Sequence, residues 1–235
     1  MDRVNICIDG NIGAGKSTLL DAMQRSCLFL DFGFHYEPLG DWEVVGDEDG
    51  KNIMELFYED PSKYAFSFQM LAFISRLASK NASSMKKTCM ERGLISDRLF
   101  AHFMKEEGCL NLVEYQIYCY CWNIFANITS GSKSSTLFTV YLRLEPEECL
   151  KRVKQRNRMS EKIIDYDYLG KLHKKHDDYF LNSANTLVLD GNDSPEENAK
   201  IVSYWIKDMK GENSNCSIRF IVYSLIMIVA WNYFH

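Results

Sequence analysis

Apolar positions along this chain follow two alternating rhythms. Short apolar runs of roughly four to eight residues alternate with longer stretches in which apolar side chains return every three or four positions. The first short run, Val4-Asn5-Ile6-Cys7-Ile8, predicts a strand, and a helix is expected to begin near Lys16. Gly33 to Tyr36 reads as a second strand that stops at Glu37-Pro38, and Lys87 to Glu91 as a third that ends in charge. The fourth, STLFTVYLRLE from Ser135 to Glu145, is rich in the β-branched and aromatic residues that suit a pleated surface, and Thr186 to Leu189 is the fifth. Helices are expected over Asn52 to Tyr58, from Pro61 toward Lys80, over Asp97 to Glu107 and over Leu112 to Ile128. Further helices are expected from Pro146, over Tyr166 to Phe180 and over Pro195 to Lys210; proline fits a first helical turn, where its missing N–H costs nothing. Strands separated by helices predict an α/β fold, a five-stranded parallel sheet flanked by helices on both faces. Such a sheet binds its ligand at the carboxyl ends of its strands, where Asp9-Gly10, Glu37 and Glu91-Arg92 fall. The serine-rich pieces SKNASS and SGSKSS read as surface loops.

Composition narrows this picture. The 235 residues, 46% hydrophobic and 25% charged, suit a soluble globular protein, with one domain expected over residues 1–210. A net charge of -5 gives no general attraction to a polynucleotide backbone, so none is expected as a partner. Eight cysteines at 7, 27, 89, 109, 119, 121, 149 and 216 form no C-x-x-C pair, and Cys7 and Cys89 read as buried hydrophobes in a reducing compartment. A strand so close to the amino terminus leaves no room for a leader, and a cytoplasmic location is expected. Residues 218–234, IRFIVYSLIMIVAWNYF, carry Arg219 as their only charge and are shorter than the ~20 residues that cross a bilayer. A packed or dimer-burying element is the expected reading of this 211–235 tail, with a membrane anchor or an irregular tail as alternatives.

The chemistry starts between the first strand and helix. Gly10 to Ser17 spell G-x-x-x-x-G-K-S, the pattern of a phosphate-binding loop, in the strand-turn-helix context it needs. Backbone N–H groups of Gly10, Asn11, Ile12, Gly13, Ala14, Gly15, Lys16, Ser17 and Thr18 are placed to cradle a triphosphate at a helix N-terminus. Lys16 would reach the β- and γ-phosphates and Ser17 would coordinate Mg²⁺. Glu37, at a strand end before Pro38, is the candidate base for an alcohol acceptor. Glu91 can approach Mg²⁺, and Arg92 can steady Glu37 or a phosphate. In RVKQRNRMSEK, Arg152 and Arg156 share a helix face and Arg158 follows in the turn, a candidate lid over about 152–162. Without triphosphate these arginines are expected to repel one another.

Further segments, YEPLGDW, MELFYEDPSKYAFSFQMLAFISR, ERGLISDR, YLRLEPEECLKRVKQRNR and YLGKLHKKHDDYF, appear with the loop in an order that resembles the deoxynucleoside kinase family, most of all its deoxycytidine and deoxyguanosine kinases. The resemblance spans roughly residues 4–207 and implies a P-loop three-layer fold. It also implies ATP or another triphosphate as donor, Mg²⁺, a deoxynucleoside acceptor, and a homodimer through the helices after Pro61 and over Leu112 to Ile128. By similarity, Glu37 takes the proton from the 5′-hydroxyl, Arg92 supports the reacting centre and Glu91 lies beside Mg²⁺. Tyr58 and Glu161 match the pair on the sugar 3′-hydroxyl, Gln69 the amide that reads the base edge, and Trp42, Phe68 and Phe100 the aromatic walls of the base pocket. Ala72, Arg76 and Asp97 match positions that favour deoxycytidine or purine deoxynucleosides over thymidine. Gly93 departs from the family's usual serine, and the apolar tail has no assignable counterpart. The rival readings are a nucleoside-monophosphate kinase and a non-catalytic nucleotide-binding regulator.

Overall fold

A computed structural model describes residues 3–81, 85–130, 135–183 and 185–210. Five strands, β1 (Arg3–Asp9), β2 (Phe32–His35), β3 (Lys87–Glu91), β4 (Ser135–Arg143) and β5 (Thr186–Asp190), form one sheet in the order β2-β3-β1-β4-β5, with every neighbouring pair parallel. Around it lie α1 (Lys16–Arg25), α2 (Leu39–Glu43), α3 (Ile53–Glu59), α4 (Pro61–Asn81), α5 (Leu94–Glu106), α6 (Leu112–Ser130), α7 (Pro146–Arg156), α8 (Tyr166–Phe180) and α9 (Pro195–Met209). The fold is the α/β arrangement that the alternating pattern predicts. From β1 the chain moves to one side for β2 and β3 and to the other for β4 and β5. The carboxyl ends of the central strands therefore open a crevice between the two halves.

Strand alternation sorts the two faces. Ile6 and Ile8, fully buried, pack with Leu19, Leu20 and Met23 of α1 and with Trp205 and Ile206 of α9. The intervening Asn5, Cys7 and Asp9 line a cavity on the opposite face. Beyond that face α4, α5 and α6 share a second core around Phe73, Ala101 and Tyr118. Local signals fix several helix starts. The Asn52 side chain accepts from the Met54 and Glu55 N–H groups while Glu55 reaches back to the Asn52 N–H, a capping box at α3. Asp165 caps α8 and Ser194 caps α9, caps typically worth about 1 kcal/mol each.

The structure corrects several boundaries. α5 starts at Leu94, three positions before the expected Asp97, which therefore lies inside the first turn. β2 ends at His35, and β4 ends at Arg143 where the chain turns toward Pro146. The piece SKNASS does not begin as a loop, because Ser79, Lys80 and Asn81 are the last residues of α4; in SGSKSS, Ser130 closes α6 and Ser135 opens β4. α2 was not expected, since five residues are too few to show a helical period. The apolar stretch 218–234 and Cys216 lie outside the described residues. Among the described residues no helix is long and apolar enough to cross a membrane.

Candidate active site

The glycine-rich loop follows β1 directly. Gly10 and Gly13 adopt φ of 151° and 83°, and a Cβ at either position would lie 2.5 Å from a backbone oxygen, of Leu142 and Cys149 respectively. Only glycine fits both the dihedral angle and the space. The loop is tied down from several sides. Asn11 Nδ2 donates to the Leu169 oxygen at 2.9 Å, and Asn11 Oδ1 accepts from the Ile12 N–H. Ala14 is buried, and its oxygen accepts from Arg152 Nη1 at 3.3 Å. Gly15 precedes α1, whose first turn carries Lys16, Ser17 and Thr18. Lys16 is buried, donates to the Asn11 oxygen at 2.9 Å, and is pushed down to about 8 by burial and by Arg92. Ser17 Oγ lies 3.0 Å from both carboxylate oxygens of Glu91, bringing together the two oxygen ligands expected for a metal.

Beside the loop opens a cleft of about 600 Å³. It is lined by Ile12, Gly13, Lys16, Ser17, Glu37, Trp42, Tyr58, Phe68, Gln69, Ala72, Arg76, Glu91, Arg92, Phe100, Arg156, Arg158 and Glu161, all of them expected at the site. At its floor two arginines share one carboxylate: Glu37 Oε1 lies 2.7 Å from Arg76 Nη2 and 3.0 Å from Arg92 Nε. Burial alone would raise the Glu37 carboxyl, but Arg92 and Arg76 together hold it down at about 2. Arg76 also pairs through Nη1 with Asp97, whose carboxyl burial pushes up to about 6 against the opposing pull of Arg76. Arg92 has φ 59°, an uncommon left-handed backbone for a residue with a side chain. Its N–H donates to the Ile8 oxygen at 3.0 Å, and its guanidinium lies 4.6 Å from the centre of the Phe100 ring.

The aromatic wall is a packed unit. Trp42 meets Phe68 edge-on at 5.4 Å, Phe68 stacks on Phe57 at 5.1 Å, and Trp42 Nε1 donates to Ser75 Oγ at 2.9 Å. Ala72 is buried against Trp42 and Ile53, leaving room in the cleft where a larger side chain would intrude. Gln69 Nε2 donates to the Asp97 backbone oxygen at 3.0 Å.

Outside the loop, where Gly10, Asn11, Ala14, Gly15 and Thr18 do not line the cleft either, two expected residues lie elsewhere. Asp97 does not line the cleft but sits behind Arg76. Arg152 is set under the loop, donating to the oxygens of Ala14 and Gly191, whereas Arg156 and Arg158 reach the cleft. The expected repulsion among the arginines is partly relieved by a carboxylate between two of them. Glu161 accepts from Arg156 Nε at 2.6 Å and lies 3.6 Å from Arg158 Nη1, so one carboxylate lies between the two cations and offsets half of their charge.

Sequence reasoning missed Met54, Met104 and Tyr36, which also line the cleft. Met104 could have been found from spacing, because it follows Phe100 by four positions along α5 and so shares its side of the helix.

Comparison with known proteins now decides the family. The profile described as Deoxynucleoside kinase matches residues 6–209. The chain belongs to the deoxynucleoside kinase family. Deoxycytidine kinase of Rattus norvegicus is 35% identical over 198 residues, and that of Bos taurus is 33% identical over 198 residues, each alignment covering 75% of both chains. Deoxycytidine kinase 1 of Xenopus laevis is 29% identical over 237 positions, covering 87% of this chain and 88% of its own. This kinase thus carries the family match across its whole described core, phosphate loop and cleft included.

Proposed function

We propose that this kinase transfers the γ-phosphoryl group of ATP to the 5′-hydroxyl of a deoxynucleoside, favouring deoxycytidine or a purine deoxynucleoside over thymidine. The observation that carries this reading is Glu37, fixed by Arg76 and Arg92 at the meeting point of the phosphate loop and the aromatic cleft. A carboxylate there accepts a hydroxyl proton, while it would repel the phosphate of a nucleoside monophosphate. Its low proton affinity suits a loose transition state, in which the hydroxyl keeps most of its proton until the transferring group has largely left the donor. Glu37 therefore aims the 5′-oxygen first and takes the proton late.

Lys16, Arg92, Arg156 and Arg158 supply positive charge around the transferring group, and the loop N–H groups hold the donor phosphates. Ser17 and Glu91 offer the hard oxygens that Mg²⁺ takes alongside phosphates, and the bound ion would neutralise donor charge. The sugar 3′-hydroxyl is assigned to Tyr58 and Glu161. The base is assigned to the pocket of Trp42, Phe68, Ala72 and Phe100, with Gln69 and Arg76 at its polar edge and Asp97 holding Arg76. Exposed Leu112, Val113, Ile117, Tyr120 and Ile124 on α6, with Ile74 on α4, supply an apolar face for a homodimer. Small water-soluble substrates fit a cytoplasmic enzyme.

The test is transfer from Mg·ATP labelled on the γ-phosphate to deoxycytidine, deoxyadenosine, deoxyguanosine and thymidine in separate reactions. Labelled monophosphate from one of the first three, with little from thymidine, supports the reading. Triphosphate binding with no transfer to any nucleoside would favour the regulatory rival, and deoxynucleoside monophosphates as acceptors test the other.

A further inference from the structure

β2 is the edge strand of the sheet and pairs with β3 as far as His35 opposite Met90. Glu37 therefore stands two residues beyond the last ladder pair, and β3 lies between it and β1, the strand that leads into the phosphate loop. Neighbouring strands are about 4.8 Å apart, so two such spacings separate the base from the loop along the sheet. The residue between ladder and base is Tyr36. Its ring packs against the core that includes Leu19, Leu20 and Met23 of α1, and it lines the cleft with Ser17 and Glu91. Its hydroxyl reaches across to α1, donating to Asp21 Oδ1 at 2.6 Å, with Gln24 Oε1 2.9 Å away.

Both acceptors belong to the helix that opens with Lys16 and Ser17 of the phosphate loop. Asp21 follows Ser17 by about one helical turn, so the two share a face of α1. On that face Ser17 Oγ meets Glu91 at the end of β3, and the next residue, Arg92, meets Glu37 at 3.0 Å. The base is thus joined to α1 by two routes, one through Glu91 and Arg92 and a direct one through Tyr36. The first grips the Glu37 side chain, and the second holds the chain one residue before it. A phenol has one proton to give, and the carboxylate takes it in a bond of the length that charge-assisted O–H···O contacts show. Burial and Asp21 push the hydroxyl above its ordinary range, so it stays a donor and does not itself act as a base.

We propose that Tyr36 is a positioning residue which, by tying the chain just before Glu37 to Asp21 of the phosphate-loop helix, fixes the base at its working distance from the transferring phosphoryl group. The tie adds no hydrogen bond to nucleoside or triphosphate, so its loss should show in turnover and not in either KM. The proposal rests on the reading of Glu37 as the base.

Steady-state kinetics and thermal unfolding test it on Tyr36→Phe, Asp21→Asn, the pair Asp21→Ala/Gln24→Ala and all three changes Tyr36→Phe/Asp21→Ala/Gln24→Ala, with wild type and Glu37→Gln alongside. Tyr36→Phe keeps the packed ring and loses only the hydroxyl; it should lower kcat about tenfold, within the ~10²-fold that a 1 Å misplacement costs, with both KM values within about threefold of wild type. Removing both acceptors should slow turnover as much. Asp21→Asn keeps an acceptor and should retain most of kcat. The triple variant should be no slower than the worse of its two parents, because all the changes break one tie. Should Tyr36→Phe not fold, the acceptor pair against Asp21→Asn decides by itself. Unchanged kcat in Tyr36→Phe, a loss carried by either KM, an Asp21→Asn as slow as the alanine pair, or losses that multiply in the triple variant would each overturn the tie. Inactive wild type, or a Glu37→Gln enzyme with normal turnover, would instead refute the underlying reading of the reaction centre, and the proposal with it.

Discussion

The cleft holds two groups of arginines bound to carboxylates, and they are built in opposite ways. At the floor, Arg76 and Arg92 grip Glu37 and Asp97 among side chains that are 3–17% exposed, apart from the fully buried Asp97. At the mouth, Arg156 and Arg158 share Glu161, with side chains 34% and 46% exposed. Charges at the floor have lost most of their water and depend on one another to stay charged. Those at the mouth keep much of their hydration, so exchanging Glu161 for a triphosphate costs little. The floor is suited to hold geometry through turnover, and the mouth to change partners during it.

The strongest way to break the comparison is Glu37→Gln. The amide keeps the shape but can no longer take a proton, and kcat should fall by ~10²–10⁴, the usual worth of general-base catalysis, while nucleoside binding measured by calorimetry stays near wild type. Near-normal turnover in the folded variant would remove Glu37 from the base role.

Arg76→Met probes the cost of stripping a partner from the floor. Asp97 would lose the cation it pairs with and Glu37 one of two, and breaking a buried pair on one side typically costs about 3–5 kcal/mol, readable by urea unfolding. The same pair leaves a pH signature. Asp97 is raised from an ordinary 3.8 to about 6, so the folded state holds that proton longer, and its contribution to stability should be lost as pH rises through about 6. Glu37 is lowered from 4.5 to about 2, so its contribution is present above about 4.5 and lost as pH falls toward 2. Asp97→Asn should abolish the first decline in melting temperature and leave the second.

Gly93→Ser tests packing just behind the floor. A Cβ at position 93 would lie 2.6 Å from Cys7 Sγ, while the glycine's φ of -124° is open to any residue. The obstacle is therefore the Cys7 sulfur, and the serine variant should lose about 1–3 kcal/mol as an overpacked site. Cys7→Ala in the same chain should recover most of it, whereas an unrecovered loss would show that something other than the sulfur requires glycine.

Much of this contrast was legible in the sequence, for physical reasons that differ by residue. The loop could be read from its glycines, because dihedral angle and close approach leave no other residue type possible at Gly10 and Gly13. Glu37, Glu91 and Arg92 could be placed at the crevice because parallel strands end there. What strand and helix periods do not encode is which carboxylate a long flexible arginine chooses. Hence Arg152 was grouped with Arg156 and Arg158, although it turns back to the Ala14 and Gly191 oxygens.

The smallest effect on stability is expected at the mouth. Arg156→Gln with Arg158→Gln should change unfolding free energy by less than about 1 kcal/mol, since exposed pairs gain little over their hydrated ions. Their absence should nevertheless raise the KM for triphosphate and leave nucleoside affinity unchanged, because the donor brings the charge that Glu161 only stands in for. The wild-type KM for triphosphate should also rise with added salt, and more steeply than in the double variant, because partly exposed charges are screened over roughly 8–10 Å at ordinary ionic strength. Equal salt slopes would mean that these arginines do not meet the donor, and the contrast between a fixed floor and an exchangeable mouth would then lose its second half.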